Sequence, residues 1–288
     1  MFDVKAVEQR ANAMRCDIVR MLTEAGSGHP GGSLSAADIV ATLYFGNVLR
    51  YDAGNPTWEG RDRFILSKGH AAPVLYAALA QAGYIPQDEL MTLRKLHSRL
   101  QGHPDMRKLP GVEVSTGSLG QGLSIACGMA MGLRMSGNGD KNVYVLLGDG
   151  EVEEGQVWEA AMFASQNKLD NLIAIVDNND LQIDGHLEEV CSPNDIEGKF
   201  KAFNWHAIAC DGHDILAIKH AIDAACEYDG GPVVIIAHTI KGKGVSFMEG
   251  QCGWHGKAPS AEQCDVALGE LCGSVKAKSD DATEVQHV

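Results

Sequence analysis

The sequence predicts an α/β fold in which a parallel β-sheet is flanked by helices on both faces. Two apolar, β-branched runs, residues 143–147 and 172–176, are separated by an amphipathic helical stretch at residues 155–168. The runs stop at Gly148-Asp149-Gly150 and at Asp177-Asn178-Asn179. A connection of this length predicts a parallel, right-handed strand–helix–strand unit. Both strand ends therefore open on the same edge of the sheet, where open α/β sheets bind their ligands.

Asp149 and Asn179 are the first candidate binding residues, because each lies at the end of a predicted strand. Together they offer a carboxylate, an amide oxygen and nearby backbone carbonyls. These hard oxygen ligands suit Mg²⁺ or Ca²⁺ holding a phosphate-bearing ligand. The alternative is that Asp and Asn only turn the chain after two strands. The presence of both, with Ile183-Asp184-Gly185 behind them, favours a binding site.

Length and composition limit the possible functions. The chain has 288 residues, 33 of them glycine, and a net charge of −14. This length allows one large α/β domain or two small ones; without an internal repeat or a Pro/Ser-rich linker, we expect one domain over residues 1–268. Residues 269–288 turn polar and patternless, which predicts a mobile tail. The acidic balance argues against nucleic acid or an anionic membrane as partner, because both require clustered Lys and Arg.

The eight cysteines and the N-terminal segment indicate the compartment. No CxxC pair is present, and most cysteines lie in apolar helix or strand patterns, so we expect reduced thiols in the cytoplasm. Residues 1–10 lack the apolar region of a signal peptide. No apolar run is long enough to span a membrane.

The other elements follow from hydrophobic periodicity and stop signals. Apolar residues at helical spacing predict a helix over residues 4–25, which Gly26 ends. Ser35, with Asp38 three residues later, predicts the N-cap of a helix over residues 36–49. We also expect a strand at residues 64–66, helices at 87–100, 123–135, 192–204 and 213–227, and strands at 206–210 and 232–239.

Four histidines lie in glycine-rich loops: His29, His70, His103 and His255. Each alone can be a solvated loop residue, but a histidine on such backbone can also bind a ligand or move a proton. Their recurrence predicts a binding constellation. Lys241, in a Lys-Gly-Lys-Gly loop after a predicted strand, is a candidate neighbour of a phosphate, with a solvated lysine as the alternative.

A glycine loop at residues 116–122 precedes the helix predicted at 123–135, and its backbone groups can contact a ligand. It is not a nucleotide P-loop, because no Gly-Lys-Ser/Thr sequence follows it. It also lacks the preceding strand and the acidic residue of a dinucleotide-binding fingerprint.

The order of these motifs resembles that of transketolase, a thiamine diphosphate enzyme. The motifs are GHPG, SKGHA, SRxxGHP, TGSLGQG, GDGEVEEG, DNND-x-QIDG, KGKG and WHGKAP, and they run from about residue 10 to residue 260. The set is far more specific than any single member. The resemblance implies the thiamine diphosphate-binding fold, and within it the diphosphate-binding domain.

The resemblance also implies roles for individual residues. Asp149, Asn179 and the carbonyl of Leu181 would hold the divalent cation, and Gly150 would let the diphosphate approach. The other implied cofactor-binding residues are His70, Gly117, Ser118, Leu119, Gly148, Glu151, Asn179, Ile183, Lys241 and His255. The implied catalytic residues are His29, His103 and His255, which would contact the sugar, and Glu154 and Glu159, which would link two active sites across an interface.

The implied activity is transfer of a two-carbon ketol unit from a ketose phosphate to an aldose phosphate, as in pentose phosphate metabolism. Family members normally carry a pyrimidine-binding half with an activating glutamate, and the sequence here covers only the diphosphate-binding half. The resemblance therefore implies an N-terminal subunit of a split transketolase with a separately encoded partner, in an α₂β₂ assembly.

Three alternatives belong beside this hypothesis. The first is the α subunit of a 2-oxo-acid dehydrogenase, which has no need of several histidines around a sugar. The second is a protein like deoxyxylulose-phosphate synthase, which shares the GDG and GHPGG patterns. The third is a non-catalytic regulatory subunit with a degenerate site, against which the intact Asp149, Asn179 and four histidines count.

Overall fold

The structure is a computed structural model that describes residues 2–280, without the side chains of residues 272 and 274–280. A five-stranded parallel sheet lies at its centre. The strand order is β1-β2-β3-β5-β4, and every pair is parallel. The strands are β1 (Arg63–Leu66), β2 (Val143–Gly148), β3 (Leu172–Asn178), β4 (His206–Asp211) and β5 (Val233–His238).

Helices cover both faces of this sheet. The α-helices of the described chain are α1 (Val4–Ala25), α2 (Gly31–Ser35), α3 (Ala37–Phe45), α4 (Ala72–Gln81), α5 (Gln121–Met135), α6 (Gly155–Gln166), α7 (Leu187–Val190), α8 (Ile196–Ala202), α9 (Ile215–Glu227) and α10 (Ala261–Asp280). Short 3₁₀ turns lie at Gly69–Ala71, Gln87–Thr92, Gly150–Glu153 and Cys252–Trp254.

The central strands are apolar on both faces, because each face packs against a separate core. On β2, Tyr144 and Leu146 join a core with α1, α3, α4, α9 and α10. Val145 and Leu147 point to the opposite core, formed with α5, α6 and α8. Continuous apolar runs are what parallel strands buried on both faces require. The expected α/β fold, with helices on both sides of a parallel sheet, is confirmed.

Helix α1 has the bounds that its periodicity predicts. The Asp3 side chain accepts a hydrogen bond from the backbone N–H of Ala6 at its start. Gly26 ends it in the left-handed conformation, with a φ of 62°. This is the backbone region that glycine adopts without a steric penalty.

The helix expected at residues 87–100 does not form. Only the 3₁₀ turn Gln87–Thr92 is present, and Arg94 and His97 then take positive φ values of 60° and 67°. Leu90, Leu93 and Leu100 are buried in the core, whereas Leu96 is exposed. The backbone N–H of Arg94 donates to the Leu100 carbonyl at 2.8 Å, so the segment folds back on itself instead of continuing as a helix. It becomes a series of turns that leads to His103.

Ser35 is not the N-cap that the sequence suggested. It ends α2, and its buried hydroxyl donates to the Asp177 carboxylate at 2.6 Å. The sequence misleads here because this partner is 142 residues away along the chain. The Asx and Ser/Thr capping pattern is local and carries no information about such a partner.

The change to a tail expected at residue 269 falls inside α10, which runs from Ala261 to Asp280. Ala267 and Leu271 lie four residues apart and are buried in the core that contains α1, which explains why the helix continues. Residues 281–288, the rest of the expected tail, lie outside the described residues. Within residues 2–280 no helix is both long and apolar enough to cross a membrane.

Candidate active site

A cavity of about 260 Å³ lies at the carboxyl ends of the central strands. It brings together most of the residues assigned from the sequence: His29, His70, His103, Gly117, Leu119, Gly148, Asp149, Gly150, Glu151, Asn179, Leu181, Ile183, Lys241 and His255. Gly32, Lys68 and Gln182 also line it, and the sequence did not single them out.

Three assigned residues do not line this cavity: Ser118, Glu154 and Glu159. Ser118 lies at the tip of the glycine loop, and its side chain does not reach the cavity. Glu154 is the N-cap residue of α6, and Glu159 lies on the exposed surface of the same helix. Their assigned roles therefore depend on surfaces outside the cavity and stay predictions.

Asp149 is the least compensated charged group in the cavity. Its side chain is 2% exposed, and its oxygens accept hydrogen bonds from the backbone N–H groups of Gly150 at 2.9 Å and Asp180 at 2.5 Å. Burial, followed by the charge of Asp177, raises the pKa of Asp149 to about 7. The charge of Lys68 acts in the opposite direction but does not offset burial. A buried carboxylate whose direct hydrogen bonds come from backbone N–H groups gains strongly from a bound cation.

Two more residues that can offer oxygen ligands line the same cavity as Asp149. The Asn179 side-chain oxygen accepts from the backbone N–H of Leu181 at 3.3 Å, and Leu181 also lines the cavity wall. No group of three His, Cys, Asp or Glu side chains suited to a metal is found in the described chain. A carboxylate, an amide oxygen and a backbone carbonyl instead fit a hard divalent cation such as Mg²⁺ or Ca²⁺, which keeps water and phosphate oxygens as its other ligands.

Lys241 is a buried cation next to these donors. Its side-chain nitrogen donates to the Leu181 carbonyl at 2.8 Å and to Nδ1 of His255 at 2.9 Å. Because an ammonium can only donate, Nδ1 of His255 is the acceptor and its proton lies on Nε2. Burial lowers the pKa of Lys241 to about 8, with Asp149 acting in the opposite direction. The ammonium and the imidazole N–H together can donate to phosphate oxygens.

The rings of His29, His70 and His255 form a cluster with centroids 5.2 to 5.5 Å apart. Burial lowers the pKa of His29 to about 4, that of His70 to about 2 and that of His255 to about 4, and the nearby cations act in the same direction. All three are therefore neutral at pH 7. Nδ1 of His29 is buried and has no hydrogen-bond partner in the described residues. A polar ligand in the cavity would supply one.

The glycine loop packs directly onto the SKGH segment that carries His70. A Cβ at Gly69 would lie 2.7 Å from the backbone nitrogen of Gly117. Gly117 has a φ of 152°, and a Cβ there would lie 2.9 Å from the ring of His103. Glycine at both positions is thus required for the close approach of these two segments.

Glu151 ties the glycine loop to the sheet. One carboxylate oxygen accepts from the Ser67 hydroxyl at 2.5 Å and the Gly120 N–H at 3.0 Å, and the other accepts from the Gly148 N–H at 3.0 Å. Burial raises the pKa of Glu151, and these donors counteract it. Although Glu151 lines the cavity, its carboxylate is fully engaged by the protein, so we interpret it as a residue that positions the loop.

The sequence analysis missed a buried ion pair at the wall of the cavity. Lys68 and Asp177 form it, and both side chains are almost completely buried. Lys68 also donates to the Gly32 carbonyl at 2.9 Å, and the hydroxyls of Ser35 and Thr239 donate to Asp177. The available signals were the lysine of SKGH and the aspartate before the Asn pair, but neither reveals a partner 109 residues away.

The fold and the cavity define a class of protein: an α/β domain that holds a ligand at the carboxyl edge of a parallel sheet with carboxylate, amide, ammonium and imidazole groups. Within that class, residues 6–273 match the family described as transketolase, thiamine diphosphate binding domain. The chain belongs to the transketolase family, which confirms the resemblance seen in its motifs.

Relatives of two lengths match the chain. It is 44% identical over 265 residues to 6-deoxy-6-sulfo-D-fructose transketolase subunit SqwG of Clostridium sp. (strain MSTE9), which covers 92% of this chain and 96% of that protein. It is 43% identical over 266 residues to an apulose-4-phosphate transketolase subunit of Actinobacillus succinogenes, covering 92% and 95%. The crystal structure of transketolase from Campylobacter jejuni superposes with a TM-score of 0.88 at 35% identity, covering 93% of this chain and 43% of that one.

Proposed function

We propose that this chain is the diphosphate-binding subunit of a split transketolase, which transfers a two-carbon ketol unit from a ketose to an aldose. The observation that carries the proposal is the buried carboxylate of Asp149, whose direct hydrogen bonds come from backbone N–H groups, in one cavity with Asn179, Leu181, Lys241 and neutral histidines. The family match supports thiamine diphosphate as the ligand of this cavity. It favours transketolase over the rival thiamine diphosphate enzymes.

Each group of the cavity has a task in this proposal. Asp149, Asn179 and the Leu181 carbonyl hold Mg²⁺ or Ca²⁺ against the diphosphate, because hard cations prefer such oxygen ligands. Lys241 and the Nε2–H of His255 donate to diphosphate oxygens. The chemistry that thiamine diphosphate supplies when bound is attack on a carbonyl carbon and storage of the electron pair from a broken carbon–carbon bond.

The histidines act on the sugar. His29 and His103 hydrogen-bond the ketose oxygens, and the orphaned Nδ1 of His29 is one group available for this. Because burial keeps the pKa of His29 near 4, this imidazole is neutral at pH 7. A neutral ring can give its N–H proton to a developing alkoxide and later take a proton back from the resulting hydroxyl.

The rest of the active site belongs to a second subunit in this proposal. Two relatives that match the chain over nearly their whole length are named as subunits of transketolases. The larger Campylobacter enzyme carries more than twice the matched length. Ser118, Glu154, Glu159 and the exposed side chain of Ile183 would contact that partner or the cofactor between the two chains, in an α₂β₂ assembly.

We propose sugar phosphates as substrates and the cytoplasm as the compartment. The first rests on the transketolase family and the second on the cysteine pattern, which suits a reducing environment. Two relatives are named for a sulfonated ketose and for apulose 4-phosphate, so the test includes those donors beside pentose phosphates.

The test is a ketol-transfer assay with thiamine diphosphate and Mg²⁺. This chain alone, its candidate partner alone and the co-expressed pair receive D-xylulose 5-phosphate, 6-deoxy-6-sulfo-D-fructose or apulose 4-phosphate, with D-ribose 5-phosphate as acceptor. We expect activity only in the pair, and none with Asp149→Ala. Activity of this chain alone, or an Asp149→Ala pair as active as the wild type, would overturn the proposal.

A further inference from the structure

A chain of buried polar contacts begins on α1 and ends next to Lys241. The Arg15 guanidinium donates to both carboxylate oxygens of Asp38, at 3.0 and 2.5 Å. The same Asp38 carboxylate lies 2.8 Å from Nδ1 of His213, at the turn before α9. The three side chains are only 8 to 13% exposed. Burying an ion pair in this way has a large desolvation cost, so a gain in stability alone does not account for its presence.

The last of these contacts determines which ring nitrogen of His213 carries the proton. The backbone N–H of Ile240 donates to Nε2 of His213 at 2.8 Å. Since a backbone N–H can only donate, Nε2 is the acceptor, and the ring proton lies on Nδ1 and is donated to Asp38. The imidazole is therefore held at both nitrogens, and it connects the backbone of Ile240 to Asp38 and Arg15.

The segment around Lys241 needs such anchors. It contains Gly242 and Gly244, whose φ values of 81° and 92° place both in the left-handed region. Thr239 is held through its hydroxyl by Asp177, and the N–H of Gly242 donates to the Gly31 carbonyl at 3.1 Å. Ile240 is the residue between Thr239 and Lys241, and the His213 bond fixes it. Arg15 itself packs against Gly244, where a Cβ would lie 3.2 Å from Cδ of the arginine.

We infer that Arg15, Asp38 and His213 form a positioning chain that fixes the backbone before Lys241 and so holds its ammonium between the Leu181 carbonyl and the His255 ring. None of the three lines the cavity, so they act only through Lys241. Ordering a lysine side chain is entropically costly, and a fixed backbone reduces the freedom that ligand binding must remove. The inference rests on the proposed function in one respect, namely that Lys241 contacts the diphosphate.

Two substitutions at His213 separate its two hydrogen bonds. His213→Asn keeps a donor near the position of Nδ1 for Asp38 and removes the acceptor for Ile240. His213→Gln has an acceptor near the position of Nε2 and removes the donor to Asp38. The matched control is His220→Asn, because His220 is exposed on α9, the helix that follows His213. Melting temperatures verify that each variant folds.

Hydrogen exchange of the full chain, without any cofactor, tests the contact itself. We expect His213→Asn, which loses the acceptor for Ile240, to accelerate exchange most strongly in the peptide that covers residues 239–245. His213→Gln, which keeps that acceptor but loses the bond to Asp38, should accelerate exchange there to a smaller extent, and His220→Asn should leave it near the wild-type rate. A wild-type rate in His213→Gln would remove Asp38 and Arg15 from the positioning chain and overturn the inference. If His213→Asn leaves exchange there unchanged, the positioning chain is refuted, whatever the activity of the enzyme.

A double-mutant cycle tests the consequence for the ligand, with calorimetric titration of thiamine diphosphate and Mg²⁺ into the co-expressed pair. We expect His213→Asn to weaken binding by about 10-fold, as substitutions behind a binding residue do. In a Lys241→Met background the same change should have no further effect. Additive losses would show that His213 acts independently of Lys241 and would overturn the inference. Absence of cofactor binding in the wild-type pair would refute the proposed function instead, and the exchange experiment would still decide the inference.

Discussion

Two aspartates at the ends of neighbouring strands have opposite environments. Asp149 follows β2 and Asp177 lies near the end of β3, and both are almost fully buried, at 2% and 0% exposure. Asp177 has an ammonium partner in Lys68 and two hydroxyl donors. Burial would raise the pKa of Asp177, but Lys68 and the hydroxyls outweigh it and lower the pKa. Asp149 has backbone donors only, and burial raises its pKa to about 7.

The difference indicates which carboxylate is structural and which is kept for a ligand. A buried charge with all its partners inside the protein stabilises the fold and has little to offer a ligand. A buried charge without a counter-ion destabilises the ligand-free protein and is stabilised by a cation. The protein thus places a complete ion pair next to a carboxylate that can accept a cation. Lys68 and Asp177 hold the strand ends, and Asp149 faces the cavity.

The largest expected effect concerns Asp177. Asp177→Asn leaves the Lys68 ammonium buried without its partner, so we expect the free energy of unfolding to fall by about 3–5 kcal/mol. Urea denaturation measures this loss. Asp170→Asn, at an exposed carboxylate, is the control and should change stability by less than about 0.5 kcal/mol. Equal effects at the two positions would contradict the structural role of Asp177.

The second effect concerns Asp149, where we expect a substitution to weaken cofactor binding and not the stability of the fold. Asp149→Asn removes the one carboxylate among the proposed metal ligands, so we expect thiamine diphosphate to bind about 100-fold more weakly in the presence of Mg²⁺. The cofactor-free variant should unfold at a temperature no lower than the wild type, because an uncompensated buried charge is lost. Thermal shifts with and without cofactor measure both quantities.

The control for Asp149→Asn is Glu188→Gln, at an exposed carboxylate on α7. It should keep the full thermal shift. A strong loss of stability in cofactor-free Asp149→Asn would refute the distinction between the two aspartates.

The third effect is a pH dependence. The pKa of His70 is near 2 in the folded chain, against 6.5 for the free group, because of burial and the charge of Lys68. Between these values the unfolded chain binds a proton at this residue and the folded chain does not, so stability falls as the pH drops below 6.5. His70→Asn removes this term. Near pH 5 the slope of the free energy of unfolding against pH should fall by roughly 1.4 kcal/mol per pH unit, which corresponds to about one bound proton. Urea denaturation at several pH values measures it, and an unchanged slope would contradict a neutral His70.

The smallest expected effect lies in the glycine loop across the cavity. Gly117→Ala places a Cβ against the His103 ring at a positive φ, so we expect a loss of about 1 kcal/mol or slightly more. Gly128→Ala is the matched control, because Gly128 lies in α5 with open space around its Cα. That change should raise stability by up to about 1 kcal/mol. Chemical denaturation of both variants checks the difference in sign.

Much of the site could be predicted because its residues lie in local patterns. The strand–helix–strand pattern alone put Asp149 and Asn179 on one sheet edge, and the cavity contains both. The glycine context of His29, His70 and His255 predicted a constellation, and their rings are in contact. These inferences succeed because strand ends and glycine loops impose their geometry over a few residues.

The residues that were missed depend on contacts between distant parts of the chain. Ser35 has the local pattern of a helix cap, and only the folded chain brings it to Asp177. Lys68 is in a loop motif in which a lysine is normally solvated, yet it is buried. The helix expected at residues 87–100 is wrong for a related reason. Leu90, Leu93 and Leu100 are buried, but the chain reaches these positions through turns, and apolar spacing alone does not reveal that path.

The most direct test of the central claim is anomalous diffraction from crystals of the assembled pair, grown with thiamine diphosphate and with Mn²⁺ in place of Mg²⁺. We expect one strong manganese peak in contact with the Asp149 carboxylate, the Asn179 side-chain oxygen and the Leu181 carbonyl. The Lys68–Asp177 pair should remain as it is here, with no metal beside it. A manganese peak at Asp177, or none in the cavity of a cofactor-bound crystal, would contradict the account.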